Sequence, residues 1–167
     1  MGKKFGVFAC QGGPGAENSY GGIAQAFADS VPIMFIPDGI PLINSDVSPS
    51  FISSKNFTDI TKWSKSINDS NRIVPLMKRA FHSLKNGRPS PVLIEMHRDH
   101  MTQEISNFKQ YNSPHQSKFF PTDDFIESAV KLLIESENPI IWSGQGVLYS
   151  SATEELKELS SLLSIPV

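Results

Sequence analysis

A Gly-Pro-Gly turn stands between the first apolar segment of this chain and a helical one. Gly13, Pro14 and Gly15 follow the strand-like run 5–9 and precede the helix-like segment 16–29. A glycine-rich turn of this kind directs free backbone N–H groups and the positive end of the helix toward one point, where a phosphate or a polar cofactor atom can bind. The turn therefore predicts a cofactor site. Taken alone, the motif is more often only a tight connection between two elements.

A dinucleotide site is one alternative for the same turn. Asp38 ends the next apolar run, about where a Rossmann fold places its ribose-binding carboxylate. Two residues count against this alternative. Asn18 stands where the dinucleotide fingerprint has glycine or alanine, and Pro14 lacks the backbone N–H that such a turn uses.

Other side chains that could bind a metal or take part in catalysis are better explained as structural ones. His97, Asp99 and His100 cluster at a strand end beside a polar segment, where such residues are more often solvated than bound to a metal. Glu17 lies in the first helical turn, where a carboxylate interacts favourably with the helix dipole. We therefore predict no catalytic residue and no metal ligand within this sequence.

Strands and helices alternate along the first hundred residues. Apolar runs rich in β-formers predict strands, and apolar residues at helical spacing predict helices. Residues 38–60, rich in proline, serine and asparagine, are expected to form a loop. The alternation predicts an α/β fold with an incomplete, doubly wound parallel sheet. The predicted strands are 5–9, 32–37 and 91–96, and the predicted helices are 16–29 and 71–86.

A polar, irregular stretch separates this region from a second unit. We place the first domain at residues 1–102, a linker at 103–121 and the start of a second, Rossmann-like α/β domain at 122–167. The second unit is expected to contain a helix from Thr122, a strand at 139–142, a helix at 150–164 and the start of a strand at 165–167.

Composition limits the classes of partner. The 15 basic and 17 acidic residues give a net charge of −2 without blocks of like charge, which disfavours binding to nucleic acid or to an anionic membrane surface. Cys10 is the single cysteine, and no apolar run reaches the length of about 20 residues that a membrane helix needs. We expect a cytoplasmic protein with a small-molecule partner.

Read together, the motifs resemble those of the thiamine diphosphate-dependent enzymes of the acetolactate synthase and pyruvate oxidase type. Each motif alone is weak, but their order matches the family across nearly the whole chain. The matching segments are GPGxxN at 13–18, GIAxA followed by DSxP at 22–32, Phe57 with Asp59, AF and GRPxPVLI between 80 and 94, and PIIxxGxGV at 139–147.

This resemblance implies a role in thiamine diphosphate chemistry on a 2-keto acid. It equates the chain with the second half of a pyrimidine-binding domain and the start of a central domain. Gly13, Pro14, Gly15 and Asn18 would then contact the cofactor, and Phe57 would lie near the substrate channel. The resemblance further implies Mg²⁺, a homodimer or tetramer and, in some members, FAD.

The same resemblance places two essential parts outside this sequence. The catalytic glutamate is expected upstream of residue 1, and the metal–diphosphate motif beyond Val167. We therefore expect residues 1–167 alone to be inactive as a decarboxylase or carboligase. Two further hypotheses stay open: a stand-alone, non-catalytic α/β module that binds a partner through incomplete sheet edges, and a dinucleotide-binding domain.

Overall fold

A computed structural model describes residues 4–106, 110–115, 117 and 119–167. The described chain separates into two compact units, one within residues 5–117 and one within residues 119–167. The division falls inside the stretch predicted as a linker, 103–121. The assignment of the two units to particular domains of a longer enzyme stays a prediction.

The larger unit is built on a sheet of four parallel strands in the order β1-β2-β4-β3. Three helices connect the strands in sequence, so that each crossover leads from one parallel strand to the next. The strands are β1 (Gly6–Cys10), β2 (Ile33–Gly39), β3 (Trp63–Ile67) and β4 (Val92–His97), and the helices are α1 (Pro14–Ala28), α2 (Ser53–Asn56) and α3 (Ile73–Lys85).

Helices cover both faces of this sheet. Successive side chains of a strand point to opposite faces, so neighbouring apolar residues of β2 and β4 enter different cores. One core joins Met34 and Val92 to Ala80 of α3. The other core joins Phe35 and Leu93 to helix α1. This arrangement confirms the predicted α/β fold with a doubly wound parallel sheet.

Helix α3 is fixed at both ends by polar contacts. The Asp69 carboxylate accepts a hydrogen bond from the backbone N–H of Asn71 at 2.9 Å, in the 3₁₀ turn that leads into α3. Lys62 Nζ donates to the carbonyl oxygens of Ser83 at 2.7 Å and Asn86 at 2.5 Å, near the end of α3. Desolvation lowers the pKa of Lys62 from its usual value, because burial disfavours the charged form.

Two features of the larger unit differ from the sequence-based expectations. Strand β3 was not predicted, because only Trp63 and Ile67 are apolar in its sequence WSKSI. The segment 38–60 is not an uninterrupted loop. It contains α2 and two 3₁₀ turns, at 42–44 and 58–60. Their sequences are too short and too polar to show a helical period.

The smaller unit contains helices α4 (Asp123–Glu135), α5 (Gly146–Ser150) and α6 (Thr153–Leu163). The strands predicted at 139–142 and 165–167 are wrong, since neither segment is a strand in the described chain. A single ladder-like contact joins them, the hydrogen bond from Ile141 N–H to the Pro166 carbonyl oxygen at 2.9 Å. Extended segments without a continuous partner do not form a sheet.

The helices of the described residues were also compared with the dimensions of a bilayer. None of them combines the length and the apolar character that a membrane crossing requires.

Candidate cofactor site at the carboxyl edge of the sheet

The Gly-Pro-Gly turn connects the carboxyl end of β1 to the first turn of α1. Gly13 has a φ of +60°, a backbone conformation that favours glycine, and its carbonyl oxygen accepts from the N–H of Glu17 at 2.8 Å. Pro14 occupies the first helical position, where its missing N–H costs no helical hydrogen bond. Among the described residues no side chain caps this helix end, so the N–H of the half-buried Gly15 remains available to a ligand, whereas Ala16 is fully buried.

Asp38, at the carboxyl end of β2, holds this turn in place. Its Oδ1 accepts a hydrogen bond from the backbone N–H of Gly12, and its Oδ2 pairs with Arg98 Nε at 2.7 Å. Gly12 approaches so closely that a Cβ at this position would lie 2.2 Å from the Asp38 carbonyl oxygen. The carboxylate that a dinucleotide site would use for ribose hydroxyls is therefore already engaged by the protein.

The structure brings the four predicted cofactor-binding residues into one region. Gly13, Pro14 and Gly15 form the turn, and Asn18 follows in the next part of α1. Asn18 is exposed, and its side-chain amide has no hydrogen-bond partner among the described residues. Uncapped backbone N–H groups and a free amide fit the ring nitrogens and amino group of a heterocyclic cofactor such as the thiamine pyrimidine. That these residues bind a cofactor stays a prediction.

Phe57 lies in the core rather than on the surface of the larger unit. Its side chain is fully buried, with ring centroids 5.2 Å from Phe35 and 5.1 Å from Tyr20. Among the described residues, Phe57 therefore packs α1 and the sheet together. The structure gives it no exposed surface, and its expected place near a substrate channel stays a prediction.

Sequence reasoning missed Glu95, a buried carboxylate near this edge. Glu95 is 1% exposed, and its oxygens accept from the N–H groups of Ser53 at 2.9 Å and Ser54 at 3.2 Å. Ser54 Oγ also donates to it at 2.6 Å. The signal in the sequence was a glutamate inside the apolar run PVLIEM, which requires a partner when buried. Both oxygens of Glu95 accept hydrogen bonds at the start of α2, so Glu95 caps this helix.

The histidines near the end of β4 form hydrogen bonds within the protein. His97 Nδ1 lies 2.5 Å from the Ile40 carbonyl oxygen, and Nε2 lies 2.7 Å from Ser66 Oγ. His100 Nδ1 lies 2.8 Å from Gln103 Oε1. In the part of the chain that the structure describes, no three His, Cys, Asp or Glu side chains are arranged to hold a metal ion.

Known proteins are similar to this chain along nearly its whole length. Residues 1–61 match the family described as "Thiamine pyrophosphate enzyme, N-terminal TPP binding domain". The acetolactate synthase large subunit of Cyanidium caldarium is 35% identical over 179 residues, which cover 97% of this chain and 29% of that protein. The acetolactate synthase large subunit of Buchnera aphidicola is 30% identical over 178 residues, or 98% of this chain and 30% of that protein.

A solved structure supports the fold. A Mycobacterium smegmatis protein proposed to be a thiamin diphosphate-dependent enzyme matches with a TM-score of 0.85 at 15% identity, over 96% of this chain and 32% of that one. The chain thus spans less than a third of the length of the acetolactate synthases it matches. The resemblance inferred from the motifs is confirmed. Residues 1–61 thus match a thiamine pyrophosphate-binding domain, and nearly the whole chain is similar to a segment of acetolactate synthase large subunits.

Proposed function

We propose that this chain forms one wall of a thiamine diphosphate site in an enzyme of the acetolactate synthase type. Such an enzyme decarboxylates a 2-keto acid and joins the remaining carbon unit to a second carbonyl compound. The observation that carries the proposal is the uncapped start of α1 at the Gly-Pro-Gly turn, held by Asp38 within the segment that matches a thiamine pyrophosphate-binding domain.

In this proposal, the residues of this chain position and orient the cofactor. They do not themselves make or break bonds of the substrate. The backbone N–H of Gly15 and the Asn18 amide would hold the polar edge of the pyrimidine. Asp38 keeps Gly12 and the turn in place. When bound, thiamine diphosphate supplies the carbon centre that stabilises the negative charge left by decarboxylation.

Further parts of the proposal concern the assembled enzyme. We propose that it uses Mg²⁺ with the diphosphate, works as a homodimer or tetramer in the cytoplasm, and takes its catalytic glutamate from a part of the enzyme outside residues 1–167. FAD binding is proposed for the central domain only. The identity over nearly the whole chain to acetolactate synthases supports these proposals.

A chimeric enzyme tests the proposed function. Residues 1–167 replace the corresponding segment of the Cyanidium caldarium acetolactate synthase large subunit, and the release of CO₂ from pyruvate is measured with thiamine diphosphate and Mg²⁺. We expect cofactor-dependent release. In the same chimera, Asn18→Ala should weaken cofactor affinity by about tenfold, as expected for loss of one or two hydrogen bonds to a polar ligand.

The control variant is Asn112→Ala, an exposed residue far along the chain from the turn. It should leave cofactor affinity unchanged. A chimera that melts cooperatively but releases no CO₂ above the cofactor-free background contradicts the proposal, as does an equal effect of the two asparagine variants.

A second candidate function follows from the free edge of β1. No strand in the described chain pairs with its outer side, and Val7 and Phe8 are 62% and 44% exposed. Such an edge can accept a strand from a partner, so that the chain would serve as a non-catalytic binding module. Size-exclusion chromatography and thermal melting of residues 1–167 test this: a cooperative, soluble monomer supports the module, and aggregation argues against it.

A further inference from the structure

A cavity whose lining does not include the Gly-Pro-Gly turn opens at the carboxyl ends of β3 and β4. It has a volume of ≈ 760 Å³, which lies within the range of pockets that hold small molecules. Its walls come from α2, from the connection after β2 and from the chain around β3. Neither the proposed cofactor site nor the catalytic proposal uses this cavity.

The inner wall of the cavity presents oxygen lone pairs. His97 is 4% exposed, and its Nδ1 donates to the Ile40 carbonyl oxygen, so in the neutral imidazole Nε2 accepts from the Ser66 hydroxyl at 2.7 Å. Ser64 Oγ donates to the Ser54 carbonyl oxygen at 2.8 Å, and Thr58 Oγ1 donates to that of Lys55 at 2.8 Å.

These hydroxyl groups therefore donate their hydrogen bonds to acceptors within the protein. The same holds for Ser54, whose Oγ donates to Glu95 at 2.6 Å. Each hydroxyl oxygen keeps a lone pair that can accept a hydrogen bond from a ligand. A ligand that matches this wall carries hydroxyl or other donor groups.

The rim of the cavity carries three cationic side chains. Lys55, Lys65 and Arg72 line it, and none of the three makes an ion pair or a side-chain hydrogen bond with any described residue. Two carboxylates also line the cavity. Glu95 is committed to the start of α2, which leaves Asp46 as the free one. The rim therefore has an excess of positive charge.

We propose that this cavity binds a small hydroxylated organic anion, such as a polyol phosphate or a polyhydroxy carboxylate. The anionic group binds at Lys55, Lys65 and Arg72, and the hydroxyl groups donate to Ser66 and Ser64. Charge alone would attract any anion, whereas the acceptor wall selects those that bring hydroxyl donors.

Isothermal titration of the full chain tests this proposal with defined probes. Glucose 6-phosphate and gluconate carry both features and distinguish phosphate from carboxylate. Glucose lacks the charge, and inorganic phosphate lacks the hydroxylated carbon chain. We expect saturable binding of glucose 6-phosphate or gluconate that is at least about tenfold tighter than binding of glucose or inorganic phosphate. Equal affinity for glucose 6-phosphate and inorganic phosphate, or no saturable binding of either hydroxylated anion, overturns the proposal.

Two kinds of variant separate the two parts of the site. The double variant Lys55→Met with Arg72→Gln should weaken the binding of every anion by about tenfold or more, because charged hydrogen bonds are lost. Ser66→Ala should weaken the binding of the hydroxylated anion by several-fold but leave the affinity for inorganic phosphate unchanged.

The matched control is Lys78→Met, an exposed lysine of α3 that does not line the cavity. It should retain full affinity, and a loss equal to that of the double variant contradicts the assignment. Thermal melting checks each variant for folding. If Ser66→Ala unfolds because His97 loses its partner, the comparison of probes on the unmodified chain still decides the hydroxyl part of the proposal.

Discussion

At the scale of single residues, Asp38 organises the candidate cofactor site. Its carboxylate joins the backbone N–H of Gly12 to the guanidinium of Arg98, and so ties the turn after β1 to the end of β4. The sequence alone drew attention to Asp38 as a ribose ligand. The actual contact spans 26 residues, and no local pattern encodes a pairing over that distance.

The first prediction concerns this contact. Asp38→Ala should lower the free energy of unfolding by about 1–3 kcal/mol, because the Gly12 N–H loses its acceptor and Arg98 loses its counter-charge. Urea denaturation measures the change. Asp59→Ala is the control: Asp59 is exposed, and its change should stay within about 0.5 kcal/mol. Equal losses in the two variants would refute the bracing role of Asp38.

Two glycines give an opposed pair of predictions. At Gly12, a Cβ would lie 2.2 Å from a backbone oxygen, so Gly12→Ala must displace the turn and destabilise the unit. At Gly21, inside α1, a Cβ meets nothing within 4 Å, so Gly21→Ala should stabilise by about 0.5–1 kcal/mol through helix propensity. Thermal melting of both variants measures the signs, and the same sign for both would contradict the geometry of the turn.

At the scale of elements, the short helix α2 depends on one buried side chain from β4. Four residues are too few to form a stable helix in water, and α2 persists because Glu95 accepts from its first N–H groups. The long elements β1, α1, β2, α3 and β4 were predictable from apolar periodicity. Helix α2 and strand β3 were not, because their conformations depend on tertiary contacts with β4.

A conservative substitution isolates the charge of Glu95. Glu95→Gln keeps the size of the side chain but provides one acceptor oxygen in place of two, so it should destabilise the larger unit by about 1–3 kcal/mol. Amide hydrogen exchange at Ser53 and Ser54 should accelerate more than exchange in α3. Glu17→Gln, on the exposed first turn of α1, is the matched control. Unchanged protection at Ser53 and Ser54 would show that Glu95 does not hold α2.

At the scale of the whole molecule, two packed cores coexist with an open sheet edge. Leu93 is 0% exposed between β2, α1 and Phe57, whereas Val7 on β1 is 62% exposed. Both residues lie in apolar runs that predict strands, so the sequence alone does not distinguish their burial. Which strand lies at an edge depends on strand order, and apolar runs do not encode that order.

This difference in burial predicts that substitutions of Leu93 and Val7 change the stability of the chain by different amounts. Leu93→Ala should destabilise the isolated chain by about 2–5 kcal/mol, through lost burial and a residual cavity. Val7→Lys should change its stability by less than about 0.5 kcal/mol and reduce self-association, because a lysine at a free edge opposes strand pairing. Chemical denaturation and light scattering measure the two effects. A large loss of stability in Val7→Lys would show that the β1 edge is already covered in solution.

The shared carboxylate of Asp38 also makes the turn sensitive to events elsewhere on the surface. The Arg98 side chain is 53% exposed, so dissolved anions compete with Asp38 for its guanidinium. When an anion takes Arg98, the Asp38 side chain keeps only its contact with Gly12 and gains freedom to rotate. A change in ionic strength would then alter how firmly the Gly-Pro-Gly turn is held. It would act through Arg98, which lies beyond β4 and far along the chain from the turn itself.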